Sequence, residues 1–183
     1  MARRYQGLLF VFLLGVVGCG PAAIESANPG ADCDALAAQI QQLEKTLFNA
    51  EEELEPNQNV RSELMRDYAA FANACHDDTK TAEMLFRRAD LLRSAGKFQE
   101  AMTQLRDVHD HFPEYEKRAI SAFLVGFIAE VELNDREQAK KTYEQVIALH
   151  DSTDAAEWAR QSLLNLEATT ARRNLNGYVN DSR

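Results

Sequence analysis

From residue 82 to residue 151 the chain repeats an alternation of small and large side chains, and this constrains its fold more than any other feature. Ala89 and Leu92 lead through Gly96, a turn former, to Phe98, Ala101, Leu105 and Val108, and Pro113 ends the segment. Small residues at Ala89 and Ala101 let two helices approach closely, larger ones fill the gaps beside them, and a proline stops the second helix. The order recurs as Gly126 and Phe127, a turn at Asn134-Asp135, then Ala139, Tyr143 and Val146, ending at Asp151-Ser152. Breakers are few: 8 Gly and 4 Pro in 183 residues leave long uninterrupted helices as the expectation elsewhere. The pattern predicts an all-α chain built from helix pairs.

The two segments resemble the tetratricopeptide repeat, in which Ala89, Leu92, Ala101, Leu105 and Pro113 fall where that family keeps small, large, small, large and terminating residues. The copies are offset by about 38 residues against the usual 34, so the link between pairs is longer than standard. The second copy departs from the pattern: Phe127 stands where Ala89 does in the first, with Gly126 beside it to compensate, and Asp151 replaces the proline. The resemblance implies an α-α superhelix of about two repeats whose first helices line a concave groove, binding by shape and extended surface.

Two repeats are fewer than a stack needs for a continuous core. The predicted helix from Ala119 to Leu133 is apolar nearly all round (Ile120, Phe123, Leu124, Phe127, Ile128, Val131) and so must be buried on several faces. Leu124, Ile128 and Val131 are therefore expected either to meet an N-terminal helical hairpin or to form an apolar peptide-binding stripe. Arg87, Arg88, Arg93 and Lys97 gather on the first repeat helix, as a solvated face or as a clamp for an acidic peptide.

The N-terminus carries a different signal. Arg3 and Arg4 precede an apolar run from Leu8 to Val17 that ends in Gly18-Cys19-Gly20. The run is short of the ~20 residues that span a bilayer, and reads as a secretory signal. Val16-Val17-Gly18-Cys19 resembles a bacterial lipobox, which implies removal of residues 1–18 as a signal peptide and lipidation of Cys19. Acyl chains contribute ~0.8 kcal/mol per buried methylene, enough in combination to hold a protein on a membrane. Gly20 in place of Asp implies, by the sorting rule of enteric lipoproteins, an outer-membrane anchor facing the periplasm. Residues 19–32 contain two Pro and two Gly without periodicity and read as a flexible tether. Lipobox and repeats together resemble the periplasmic repeat lipoproteins typified by outer-membrane assembly and division-coordination factors.

Between tether and repeats, Leu36, Ile40, Leu43, Leu47, Ala50 and Leu54 recur in alternating steps of four and three, a coiled-coil seam. Asp32 or Asp34 can cap this helix, and Pro56-Asn57 interrupts it. A second helix, from about Val60 to Ala74, carries Val60, Leu64, Tyr68 and Phe71 on one face. The short connection favours an antiparallel hairpin spanning 33–76. Cys33 lies just before the first helix and Cys75 just after the second, so the hairpin brings them together, and export would place them in an oxidising compartment. A Cys33–Cys75 disulfide is expected. The alternative is a parallel trimer driven by the same heptads, as in the N-terminal coiled coil of the periplasmic cell-division coordinator family.

The repeat domain is expected over 77–170, closed by a helix from about Ala155 to Ala168 with an Asp154–Glu157 capping box and the apolar set Trp158, Leu163, Leu164 and Leu166. Residues 171–183 are polar, lack periodicity and read as a disordered tail. A formal charge of −9 gives no basic face for nucleic acid and no polybasic patch for a membrane. No phosphate-binding glycine loop, nucleophile elbow or zinc motif occurs. His109 and His111 are two apart on one helix, about 200° around it, and cannot share a metal. Glu51-Glu52-Glu53 reads as a solvated helix end and not a calcium site. The sequence thus points to a non-catalytic interaction scaffold without cofactor or metal, tied to a membrane through its lipid alone. Its partner would be an envelope protein or peptide, with homo-oligomerisation through the coiled-coil segment as the alternative.

Overall fold

The computed structural model describes residues 32–49 and 58–181, and these form seven helices. They are α1 (Cys33–Asn49), α2 (Gln58–Ala74), α3 (Thr81–Ser94), α4 (Phe98–His111), α5 (Arg118–Val131), α6 (Arg136–Leu149) and α7 (Asp154–Asp181). Each packs against the next in chain order, and α7 also reaches back to α5. The result is a stack: hairpin α1–α2, pairs α3–α4 and α5–α6, and α7 over the end.

Local chemistry sets the boundaries. Asp32 caps α1, accepting the Ala35 amide at 3.0 Å, and Asp135 caps α6 by accepting from Gln138 at 3.0 Å. After α3 the chain turns through Gly96 at φ 73°, where the Lys97 amide bonds to Leu92 O and the Gly96 amide to Arg93 O. This is the left-handed C-terminal turn that glycine adopts without strain. The corresponding turn after α5 uses Asn134 at φ 52°, the residue type that best tolerates that region after glycine. At α7 the expected capping box is displaced by one residue. Thr153 Oγ1 accepts the Ala156 amide, Asp154 is already helical, and Glu157 pairs with Arg160.

Two apolar cores result. The smaller joins Ile40, Val60, Leu64, Tyr68, Phe71 and Cys75, with Met84 and Leu91 of α3 laid against it. The larger runs through α3 to α7, from Ala89 and Leu92 to Ala155 and Ala159. Ile40 is 1% exposed, and Leu36, Leu43 and Leu47 pack against the same small core, so the described part of the α1 seam faces α2. The hairpin adds the third layer of the stack, but through α2 on α3. The apolar helix expected to meet it, α5, is covered by α4, α6 and α7 instead.

Gly126 is where α5 and α6 come closest. A Cβ there would lie 2.8 Å from Tyr143 Cε1 and 3.3 Å from Thr142 Cβ. Gly126 thus does for the second pair what Ala89 does for the first, one residue earlier, because the Tyr143 ring is larger than the Leu105 side chain it replaces.

Two expectations for the C-terminal region are corrected. The buried face of α7 is Ala155, Ala156, Ala159 and Leu166, while Trp158 and Leu164 are 45% and 61% exposed. Leu163, Leu164 and Leu166 cannot share one helical stripe, and the alanines allow close approach. Residues 171–181, expected as disordered tail, continue α7 to Asp181. No Gly or Pro falls between Ala155 and Asn176, and Gly177 alone costs about 1 kcal/mol, too little to stop a propagating helix. No helix among the described residues is long and apolar enough to cross a membrane.

Candidate functional site

The structure brings Cys33 and Cys75 together as a disulfide, with S–S 2.05 Å and Cα–Cα 6.0 Å. The Cys75 carbonyl accepts from Thr81 Oγ1 at 2.5 Å and from the Asp78 amide at 2.9 Å, fixing the start of α3 to the end of the hairpin. Cys19, the signal and most of the tether, Glu51-Glu52-Glu53 and the Pro56-Asn57 interruption lie outside the described residues.

The arginines expected to share one face are instead spent joining layers. Arg87 reaches Glu44 of α1 at 2.6 Å and Glu83 of its own helix at 2.7 Å. Glu83 also accepts from Tyr115 at 2.5 Å and Lys117 at 2.7 Å, and Tyr68 donates to Glu44 at 2.6 Å. Burial alone would raise the Glu83 carboxyl, but hydrogen bonds from Lys117, Tyr115 and Arg87 outweigh it and hold it at about 2. Burial, reinforced by the carboxylates they bond, pushes the Tyr68 and Tyr115 hydroxyls above the usual phenol range. Arg88 ties three helices: Nε donates to Met65 O at 3.1 Å and Nη1 to Gln104 Oε1 at 2.5 Å. Arg93 meets Asp90 at 3.3 Å and Glu132 at 3.6 Å. Lys97 pairs with Glu100 at 3.5 Å. An acidic-peptide clamp built from these side chains is therefore absent, because carboxylates of the chain itself already occupy Arg87 and Arg93.

The apolar stripe survives in altered form. Ile128 is 0% exposed, part of the main core, so it is removed from the expected surface. Leu124 is half-buried and Val131 is 55% exposed. Phe127, half-buried, takes the place of Ile128, since positions 124, 127 and 131 share one helical face. Phe123 links this face to α7, with its ring 6.2 Å from Phe127, 5.7 Å from Trp158 and 5.6 Å from Tyr143. Tyr143 is anchored by donating to Glu130 at 2.8 Å. Leu124, Phe127, Val131 and Trp158 thus form a partly exposed apolar strip across the first helix of the second pair and the closing helix.

On the opposite side of α5 lies a half-open pocket of about 300 Å³ between the two repeats. Ala122, Val125, Val146 and Leu149 make its apolar walls, and Arg106, His109, Asp110, Thr142, Gln145 and His150 supply polar groups. His109 Nε2 faces His150 Nε2 at 3.0 Å, and Asp110 holds His109 Nδ1 at 2.7 Å. Burial, then the neighbouring His109 and Arg118, lower the pKa of His150 below its ordinary value. Arg118 itself donates to the His109 carbonyl at 2.8 Å. Weighing His109 only against His111 misses this pair. The available signal was the repeat itself, which stacks the second helices of adjacent pairs and so sets the end of α4 beside the end of α6. His111 bonds the Asp107 carbonyl and His76 pairs with Asp77 at the surface. Among the described residues, no three His, Cys, Asp or Glu side chains converge as a metal site.

No curated protein matches this chain closely enough to count as a relative. Two segments, residues 83–115 and 121–153, match the family model of the tetratricopeptide repeat. They coincide with the pairs α3–α4 and α5–α6 and their turns. The chain therefore carries two tandem tetratricopeptide repeats, a module that mediates protein–protein interaction.

Proposed function

We propose that the protein is a lipid-anchored, non-catalytic scaffold of the bacterial envelope that holds an envelope protein or peptide against its repeat stack. The observation that carries this reading is the tandem repeat with an apolar strip left uncovered at Val131 and Trp158, on helices that line the groove in this repeat class. Exposed apolar groups flanked by polar ones mark interaction surfaces. The lipobox-like Val16-Val17-Gly18-Cys19 supports the anchor, and Gly20 in place of Asp supports outer-membrane sorting by the rule of enteric lipoproteins.

Two measurements test it. Detergent-phase partitioning should follow Cys19, with wild type in the detergent phase and Cys19→Ala in the aqueous phase; equal partitioning rejects the anchor. Crosslinked partners should be retained by wild type and lost by Val131→Glu and Trp158→Ala, whose side chains are exposed and whose removal leaves both cores intact. Capture unchanged in both variants rejects the strip as the binding face.

A further inference from the structure

The pocket between the repeats sets a guanidinium and two imidazoles beside an apolar wall. Arg106 is exposed at its rim and makes no ion pair among the described residues. The two imidazoles face each other inside it. Against these stands one lining carboxylate, Asp110, which is engaged with His109 Nδ1. Asp151, next in sequence to His150, is turned to Arg160. Opposite the cationic rim, Ala122, Val125, Val146 and Leu149 offer a wall with no charge to satisfy. Apolar walls with a few convergent donors are the usual make-up of a small-molecule site, and ~300 Å³ lies at the lower end of the usual size range.

We propose that this pocket binds a carboxylate attached to a short aliphatic group. The carboxylate sits between Arg106 and the His109–His150 pair, and the aliphatic part lies on Val125, Val146 and Leu149. The site is independent of the apolar strip, which lies across α5 from it, and its ligand need not be the scaffolded partner.

The histidine pair makes a specific demand on this binding. A hydrogen bond between two Nε2 atoms needs one of them unprotonated, so the empty pair carries at most one proton across the contact. Asp110 fixes a proton on His109 Nδ1. A carboxylate placed between the rings accepts from both Nε2–H groups, which replaces the ring-to-ring bond and draws one proton from solvent. With His109 Nδ1 already protonated against Asp110, the ring-to-ring bond of the empty pair runs from His150 Nε2–H to His109 Nε2, and His109 Nε2 is the atom that gains the proton. Binding therefore strengthens as pH falls from 7.5 to 6, where the ligand remains ionised.

The test uses three probes on the full chain: 4-methylpentanoate, N-acetyl-leucine and the neutral amide N-acetyl-leucinamide, followed by histidine ring NMR and calorimetry at pH 6 and 7.5. At least one acid is expected to shift the His109 and His150 signals and bind about tenfold more tightly at pH 6, with the amide at least tenfold weaker. Preference for 4-methylpentanoate assigns a free organic acid, and preference for N-acetyl-leucine assigns a chain terminus. Arg106→Ala should weaken binding about tenfold, and His109→Gln should abolish its pH dependence. His111→Ala, altering an exposed ring on the same helix, should change neither. Thermal melts of the variants establish folding. Amide binding equal to acid, undisturbed histidine signals, or unchanged binding in folded Arg106→Ala overturns the proposal.

Discussion

Gly126 and Tyr143 share a space that one methyl group would close. A Cβ at 2.8 Å from the ring edge forces α5 and α6 apart or turns Tyr143 off its bond to Glu130. Gly126→Ala should destabilise the protein by about 1–3 kcal/mol, the usual cost of overpacking, measured by urea melts. It should do so although alanine is the better helix former, which separates clash from propensity. Glu83 gives a second residue-scale prediction. Its folded pKa of about 2 lies below the unfolded 4.5, so the network's stability is fully present above pH 4.5 and lost as pH falls towards 2. Glu83 is partly exposed, so the loss is about 1–2 kcal/mol once solvent screening is allowed for. Melting temperature against pH should show it, with Glu83→Gln less stable at pH 7 and flatter on the acid side. At this scale the sequence reads unevenly. Ala89, Ala101, Leu105, Tyr143 and Val146 are legible because packing between paired helices dictates their sizes. The roles of Arg87 and Arg88 are not, because their partners Glu44, Met65 and Gln104 come from three other helices, and spacing along α3 carries no record of them.

At the scale of elements, spacing identified the helices, while their rotation and their neighbours came only from packing. Ile128 illustrates this: an all-round apolar helix has no face that its own sequence marks as outer, and the covering by α4, α6 and α7 decides it. The hairpin was readable because two near-equal helices joined by a short link return to their starting level, and the cysteines stand at that level. Closing a loop with sequence separation 42 stabilises it by about 3–4 kcal/mol in the chain-entropy model. Replacing both Cys33 and Cys75 with Ser should lower stability by that order, and reducing agent should bring wild type down to the variant's melting temperature. Equal melting temperatures of untreated wild type and variant would show that the bridge contributes nothing.

For the whole molecule, the question is whether two cores behave as one. Arg88 crosses between them, bonding Met65 of the hairpin and Gln104 of the first repeat, and Arg87 and Glu83 tie α1, α3 and the segment before α5. Nearest-neighbour coupling of this kind makes a short repeat stack melt as a unit. Leu64→Ala in the smaller core and Leu105→Ala in the larger should each cost about 2–5 kcal/mol and shift one shared urea transition, read by circular dichroism. Arg88→Ala should broaden or split that transition, because it loosens the coupling while leaving both cores filled. A wild-type transition already split in two would contradict the coupling.

The bridge at the base of the hairpin also sets how the molecule would carry load. A pull applied ahead of Cys33 passes through the disulfide to Cys75 and from its carbonyl to Thr81 at the head of α3. The force path bypasses α1 and α2, so the hairpin cannot be unzipped from that side. Tension arrives along the first repeat, where bonds between helices, and not the hairpin seam, set the yield point.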